Sequence, residues 1–289
     1  MSELAAEVSR VSYAYPDGFM ALQEVNLKAA RGERLAILGP NGAGKSTLLM
    51  ILNGLYAPSS GQVTVLGVPV NDENKSAIRR DVGLVFQDPD DQLFSPTLWE
   101  DVCFGPLNMG LPEGEVNDRS AEALDAVGLA GYELKAPHHL SAGEKKRAAI
   151  ATVLVMHPKI LLLDEPTVNL DPRNRLELAN LLRNLHENNG ITLITASHDV
   201  NFLPAVADRA YVLNKGRVIS EGSLRQVFSD SRVMSEASLE PPTIARLFSI
   251  LAEKRNMRAQ GPPLTVEEAL SELERHLSSG ERVRKADSR

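Results

Sequence analysis

Gly39, Pro40, Asn41, Gly42, Ala43, Gly44, Lys45 and Ser46 satisfy the pattern G-x-x-x-x-G-K-[ST] in full. That spacing serves phosphate chemistry. The three glycines free the turn for positive φ and leave backbone amides unobstructed, and amides at a helix N-terminus attract anions. Lys45 would reach the β- and γ-phosphates of a nucleotide, and the Ser46 hydroxyl would ligate Mg²⁺. Thr47 completes the candidate nucleotide-binding set. The motif requires a strand before it and a helix after it. Leu35, Ala36, Ile37 and Leu38 read as a fully buried strand, and Ser46 to Asn53 as the helix.

A second apolar run, Ile160 to Leu163, ends in Asp164 and Glu165. Adjacent carboxylates at the edge of a buried strand repel each other and lose solvation unless a cation stands near them. Mg²⁺ with ATP answers that need, with Asp164 on the metal and Glu165 orienting or deprotonating the attacking water. Ile191 to Thr195 is a third strand, which carries His198 at its carboxyl end, and Val82 to Phe86 delivers Gln87 in the same way. Ligands of open α/β sheets sit at the carboxyl ends of strands. A lone histidine or glutamine there is an ordinary loop residue; beside the acid pair and the glycine-rich turn, His198 reads as functional.

Ser141 and Glu144 satisfy S-x-x-E, a capping box that starts a helix running to about Met156. Those residues are sufficient as a well-capped helix. A serine hydroxyl, a glycine and uncommitted amides at a helix start also make a second anion site. His138 and His139 lack a carboxylate or cysteine that would complete a ligand set, so a metal site there is not expected.

The rest of the chain positions these groups. Val8 to Leu27 alternates apolar and polar residues around a turn at Pro16, Asp17 and Gly18, which reads as a small antiparallel sheet. Tyr13 and Tyr15 share one of its faces. Gln62 to Leu66 and Val68 to Val70 read as short strands, and Glu115 to Val127 as a helix stopped by Gly128. Asp88 to Gly110 is rich in Pro, Gly and aromatics, includes the only tryptophan, Trp99, and has too little periodicity for one long helix. It serves either partner docking or a satellite core. Pro172 to Leu185 reads as a helix, and Arg209 to Leu213 and Val218 to Ser220 as closing strands. Beyond Ser223 no strand signal recurs. Leu239 to Ala252 is a candidate helix; Thr265 and Glu268 form another capping box, followed by the stripe Val266, Leu270, Leu273 and Leu277. The polar stretch from Gly280 is expected to be a disordered tail.

With 289 residues, 43% hydrophobic and 24% charged, the chain can bury one large core plus an appendage. A single cysteine, Cys103, excludes an intramolecular disulfide and fits a reducing compartment. No apolar run approaches the roughly 20 residues of a membrane helix, and the start MSELAAEVSR has no apolar signal core. The expectation is a chain that itself neither spans nor crosses a membrane. A net charge of -7 gives no general attraction to nucleic acid or anionic lipid.

From about Leu4 to Gly222 the sequence resembles an ABC-type ATP-binding cassette, a P-loop α/β fold with a mixed central sheet, an N-terminal antiparallel part and a helical subdomain (about residues 88–158). GPNGAGKS is similar to Walker A, ILLLDE to Walker B, and Leu140, Ser141, Ala142, Gly143 and Glu144 to the signature LSGGQ, from which Ala142 and Glu144 depart while keeping the serine, glycine and helix cap. Gln87, Asp171 and His198 fall at the Q-loop, D-loop and H-loop positions. The resemblance implies Glu165, His198 and Gln87 as catalytic residues, Ser46, Gln87 and Asp164 around Mg²⁺, and ATP sandwiched between two cassettes with Ser141 acting in trans. It aligns Tyr15 with the aromatic that stacks on adenine, with Tyr13 two residues away. DPDDQLFSPT and WEDVCFGPLNMGL resemble the ATPases of energy-coupling factor importers, especially those for cobalt or nickel. That implies a peripheral subunit on the cytoplasmic face of the membrane, acting as a homodimer. Its partners would be a transmembrane coupling protein and a substrate-capture membrane protein, with no nucleic acid and no contact with the cargo. Residues 223–289 would form a helical, dimerising C-terminal region. The alternatives are a vitamin importer, or a soluble cassette of DNA repair or translation, which would carry long coiled-coil insertions or a second tandem cassette.

Overall fold

The computed structural model describes residues 3–255 and 261–286. β1 (Leu4–Ala14) turns through Pro16 to Gly18 and returns as β2 (Met20–Ala30), its antiparallel partner. β3 (Arg34–Leu38) leads into α1 (Lys45–Leu52). Next come β4 (Ser60–Val65), a two-residue β5 (Val68–Pro69), α2 (Lys75–Asp81) and β6 (Val82–Val85). α3 (Leu98–Asn108), α4 (Glu113–Ala126) and α5 (Ala142–Leu154) pack on one another as a helical unit. β7 (Ile160–Asp164), α6 (Pro172–Asn189), β8 (Thr192–Ser197), α7 (Leu203–Val206), β9 (Arg209–Asn214) and β10 (Arg217–Ser223) complete the sheet region. α8 (Leu224–Ser229), α9 (Ser231–Glu236), α10 (Thr243–Arg255) and α11 (Val266–Ala286) follow.

The strands form a four-stranded antiparallel sheet, β2-β1-β4-β5, and a six-stranded sheet, β10-β9-β3-β8-β7-β6, parallel except at β10. β7 and β8 are buried along their whole lengths, as strands covered on both faces must be. Side-chain alternation then sorts the core into two layers. Ala36 and Leu38 join the layer under α3 to α6, whereas Leu35 and Ile37 join the layer under α1 and the antiparallel sheet. Because β3, β6, β7 and β8 run in one direction, the phosphate loop, Gln87, Glu165 and His198 all leave the same edge of the sheet.

The stretch expected to lack a long helix contains α3, started by a complete capping box of Thr97 and Glu100. Cys103, Gly105 and Pro106 within it obscure its apolar spacing. α8 and α9 have no counterpart in the expected elements; Leu224, Val227, Phe228, Val233 and Met234 belong to the same apolar layer as Leu161, Leu163 and Leu193. At Thr265 only half of the expected box forms: Glu268 N donates to Thr265 Oγ1, but the Glu268 carboxylate caps Leu264 N and pairs with Arg225 instead. The stripe on α11 faces solvent, with Leu270 57% and Leu277 71% exposed, while Ala269 and Glu272 point inward. α11 extends to Ala286, into the stretch expected as a tail; residues 287–289 lie outside the described residues. Among the described residues no helix is long and apolar enough to cross a membrane.

Candidate nucleotide site

The turn between β3 and α1 needs its glycines for two different reasons. Gly44 caps α1 at φ +100°, where a side chain would be strained and its Cβ would stand 2.6 Å from Ala21 O. Gly42 also has positive φ, but Gly39 does not, contrary to expectation. Gly39 is required by close approach, since a Cβ there would lie 2.2 Å from the carbonyl oxygen of Leu213 on β9. Lys45 folds back over the turn, donating to Gly39 O at 2.8 Å and Pro40 O at 3.1 Å, and its Nζ lies 2.9 Å from Glu165 Oε1.

Glu165 is held from several sides. Its backbone N–H pairs with Ala196 O on β8, and its φ of +41° re-aims the side chain as the chain leaves β7. Oε2 accepts from Ser197 Oγ and His198 N, both at 3.2 Å, and from His198 Nδ1 at 2.9 Å. Burial pushes this carboxyl up, but the His198 bond and the Lys45 charge outweigh it and hold Glu165 below the usual glutamate value. Asp164, one residue earlier, is raised by its burial, against a hydrogen bond from the Ser46 hydroxyl. Its Oδ1 has no hydrogen-bond partner among the described residues. A buried, unpartnered carboxylate oxygen beside a hydroxyl is a hard-donor set that a small divalent cation completes, so Asp164 and Ser46 fit Mg²⁺.

Asn41 to Thr47, Tyr15, Phe19, Gln87 and Glu165 line one cavity of about 340 Å³. Tyr15 belongs to this wall, and its hydroxyl shares a 2.9 Å hydrogen bond with Thr47 Oγ1. Tyr13 instead stacks on Tyr56, with centroids 5.2 Å apart, and packs against the core. A larger cleft, about 590 Å³, lies elsewhere, between Arg31, Arg119, His157 and Lys159, and contains none of these groups. Convergent chemistry, not size, identifies the candidate site.

The residues from Leu140 to Glu144 lie outside that cavity. Both halves of the capping box form: Glu144 N donates to Ser141 Oγ at 3.3 Å and Ser141 N to Glu144 Oε2 at 2.7 Å. Leu140 is buried while Ser141 and Ala142 are exposed. A Cβ on Gly143 would stand 2.0 Å from Asn174 Oδ1, and Asn174 Nδ2 donates to Asp171 Oδ2 at 2.8 Å. The start of α5 and Asp171, the N-cap of α6, therefore form a second cluster.

Four residues were not expected here: Ser197 on Glu165, Phe19 beside Tyr15, Asn174 against Gly143, and Lys146. Lys146 is buried on α5 and donates to Gln87 O at 2.7 Å; burial lowers its ammonium to about 8, against the charges of Asp88 and Asp164. Its signal was in the periodicity, because it precedes the buried Ala149 and Ile150 by three and four positions.

The ABC transporter family profile matches residues 22–168. The chain is 48% identical over 281 residues to the energy-coupling factor transporter ATP-binding protein EcfA of Methanothermobacter thermautotrophicus, covering 95% of this chain and 88% of the relative. It is 47% identical to the EcfA of Methanocaldococcus jannaschii, over 87% of this chain and 90% of that one. Among solved structures, cbiO1 of Clostridium perfringens, described as part of the ABC transporter complex cbiONQ, superposes with a TM-score of 0.74 at 41% identity. That match covers 86% of this chain and 99% of the other. A dimeric ATP-binding cassette in a post-hydrolysis state, bound to ADP and Pi, gives 0.69 at 33% identity, over 76% and 99%. With the phosphate loop, acid pair and histidine gathered on one sheet edge and these likenesses spanning nearly the whole chain, the protein belongs to the ABC transporter family as an ATP-hydrolysing cassette.

Proposed function

We propose that this chain powers an energy-coupling factor importer of cobalt or nickel ions, through ATP-driven closure of a homodimer of cassettes. The observation that carries hydrolysis is the placement of Glu165: a buried carboxylate kept ionised at the mouth of the phosphate loop by Lys45 and His198. A water held by Glu165 attacks the γ-phosphorus, the bond to the β,γ-bridging oxygen breaks to give ADP and phosphate, and Glu165 takes the water's proton. Ser197 and His198 fix the carboxylate's orientation. Gly39 to Thr47 cradle the phosphates through their amides, Lys45 offsets phosphate charge, and Tyr15 stacks on adenine. Mg²⁺, held by Ser46 and Asp164 with Gln87 close by, would neutralise charge developing on the β- and γ-oxygens.

The exposed second cluster supports the dimer reading. Ser141 and Ala142 are exposed at a helix start, outside the cavity of the chain's own phosphate loop, and so suit the γ-phosphate on a second copy, with Asp171 beside them. The exposed stripe on α11 supports a lasting contact between the C-terminal regions, residues 223–289. Phe94 and Phe104, exposed and edge-to-face at 5.0 Å, suit a transmembrane coupling protein on the cytoplasmic side of the membrane. Capture of the cargo would fall to a separate membrane protein, so this chain would never touch the ion. Support for the metal cargo comes from the segment after Gln87 and from the likeness to cbiO1.

Glu165→Gln tests the hydrolytic role: it keeps size and hydrogen bonding but removes the base. Turnover should fall at least about 100-fold while ATP still binds and holds the dimer closed. Near-normal turnover would remove Glu165 from that role. Uptake of cobalt or nickel, rather than a vitamin, by vesicles carrying the co-purified membrane partners tests the cargo.

A further inference from the structure

Lys146 is a charged side chain that the hydrolytic site does not use. It is 1% exposed, lies within the first two turns of α5, and places its ammonium on two backbone carbonyls, Gln87 O at 2.7 Å and Phe86 O at 3.4 Å. Burying an ammonium is costly unless its donors are satisfied, so the contact fixes the relation between the helix and those peptides. Neighbouring contacts reinforce it. Gln92 Nε2 donates to Ala149 O and Thr152 Oγ1, both at 2.8 Å, and its Oε1 accepts from Phe86 N at 3.2 Å. Lys145 Nζ pairs with Asp90 at 2.6 Å. β6 and α5 also touch directly, since a Cβ on Gly83 would lie 1.9 Å from Val153 Cγ1. The backbone from Phe86 to Gln92 is thus fastened along α5, and Lys146 is the side chain that takes hold of the Gln87 peptide itself.

The same helix starts with Ser141. α5 therefore carries at its N-terminus the group offered to a second copy, and one to two turns later the group that holds the residue facing the chain's own phosphate loop.

We propose that Lys146 is a positioning residue that makes Gln87 and the Ser141 end of α5 move as one body, so that ATP sensed at a protomer's own site sets the pose in which that protomer meets its partner's ATP. This rests on the reading of Gln87 and Ser141 given above. The Lys146 ammonium bonds the Gln87 and Phe86 carbonyls, and its side chain does not line the phosphate-loop cavity. The alternative is a structural pin whose loss weakens the fold and affects turnover only through stability.

Lys146→Met in the full chain separates the two. Methionine keeps the unbranched shape and removes the donor; relief of the ammonium's burial cost offsets the cost of leaving the Gln87 and Phe86 carbonyls unpaired. Turnover, ATP affinity and Tm would be measured for Lys146→Met, Gln87→Ala and the double variant. The proposal expects a Tm that changes little, ATP affinity within about two-fold and kcat lowered about ten-fold. In the Gln87→Ala background, where there is no side chain left to position, Lys146→Met should change kcat by less than about two-fold. Unchanged turnover in Lys146→Met, a loss that tracks a fall in Tm, or losses that multiply in the double variant would each overturn it. If Gln87→Ala alone turned over at the wild-type rate, the reading of Gln87 would fall and take this inference with it, a result distinct from the other three.

Discussion

Lys45 and Glu165 form an ion pair with both side chains 5% exposed, Nζ to Oε1 at 2.9 Å. The lysine that would hold phosphate and the carboxylate that would activate water are thereby in contact. A γ-phosphate entering the loop would compete with Glu165 for the same ammonium, which would link filling of the site to release of that carboxylate.

That pair gives a stability prediction. Lys45→Ala removes the buried carboxylate's lysine partner, leaving only hydrogen bonds from Ser197 and His198, and should destabilise the nucleotide-free protein by about 3 kcal/mol. In the Glu165→Gln background the same substitution should cost at least about 1 kcal/mol less, since the stranded charge is gone. Denaturant unfolding of the four proteins measures the cycle; equal costs in both backgrounds would mean the pair carries no energetic coupling.

The cap of α5 should titrate. Glu144 lies below its ordinary value, first because Ser141 N–H bonds its carboxylate. A lowered folded-state value means the contribution is present above the ordinary glutamate pKa and lost as pH falls through the lowered one. Glu144→Ala should therefore cost about 1 kcal/mol at neutral pH, and its Tm should converge on the wild type's in acid. A gap that stayed constant with pH would assign the cap energy to something other than the carboxylate.

Much of this was legible in the sequence because it rests on local rules. The apolar runs Leu35 to Leu38, Ile160 to Leu163 and Ile191 to Thr195 correspond to buried parallel strands whose ends converge, and the S-x-x-E box at Ser141 caps α5 as its spacing requires. Long-range packing was not legible. That Gly39 is demanded by Leu213 O, that Gly143 makes room for Asn174, and that Lys146 reaches Gln87 depend on residues far away in the chain. Leu93 shows the same limit: in a stretch that the sequence left open between docking and a satellite core, it joins the core at 7% exposed while its neighbour Phe94 is 66% exposed.

Phe94 is consequently the residue with which to test docking. Phe94→Asp should abolish co-purification with membrane partners and leave soluble ATPase activity within about two-fold, since exposed substitutions barely perturb a fold. Leu93→Asp would instead bury a charge and should lower Tm sharply. Retained co-purification by the Phe94 variant would remove this surface from the interface.

The α11 stripe makes a separate claim. Leu270→Glu with Leu277→Glu places charges on an exposed face and leaves the inward Ala269 and Glu272 untouched. Sedimentation without nucleotide should show the wild type dimeric and the variant monomeric with Tm held. A variant as dimeric as the wild type would mean that the C-terminal regions do not join the protomers.

The composite site is the central claim, and mixing two dead variants tests it most directly. Lys45→Ala spoils the phosphate loop and Ser141→Arg spoils the helix start, so each homodimer has no intact site. A co-expressed mixture forms heterodimers for about half of its dimers, each with one intact site of two, and should recover roughly a quarter of wild-type ATPase turnover. No recovery, with heterodimers shown to be present, would contradict the account.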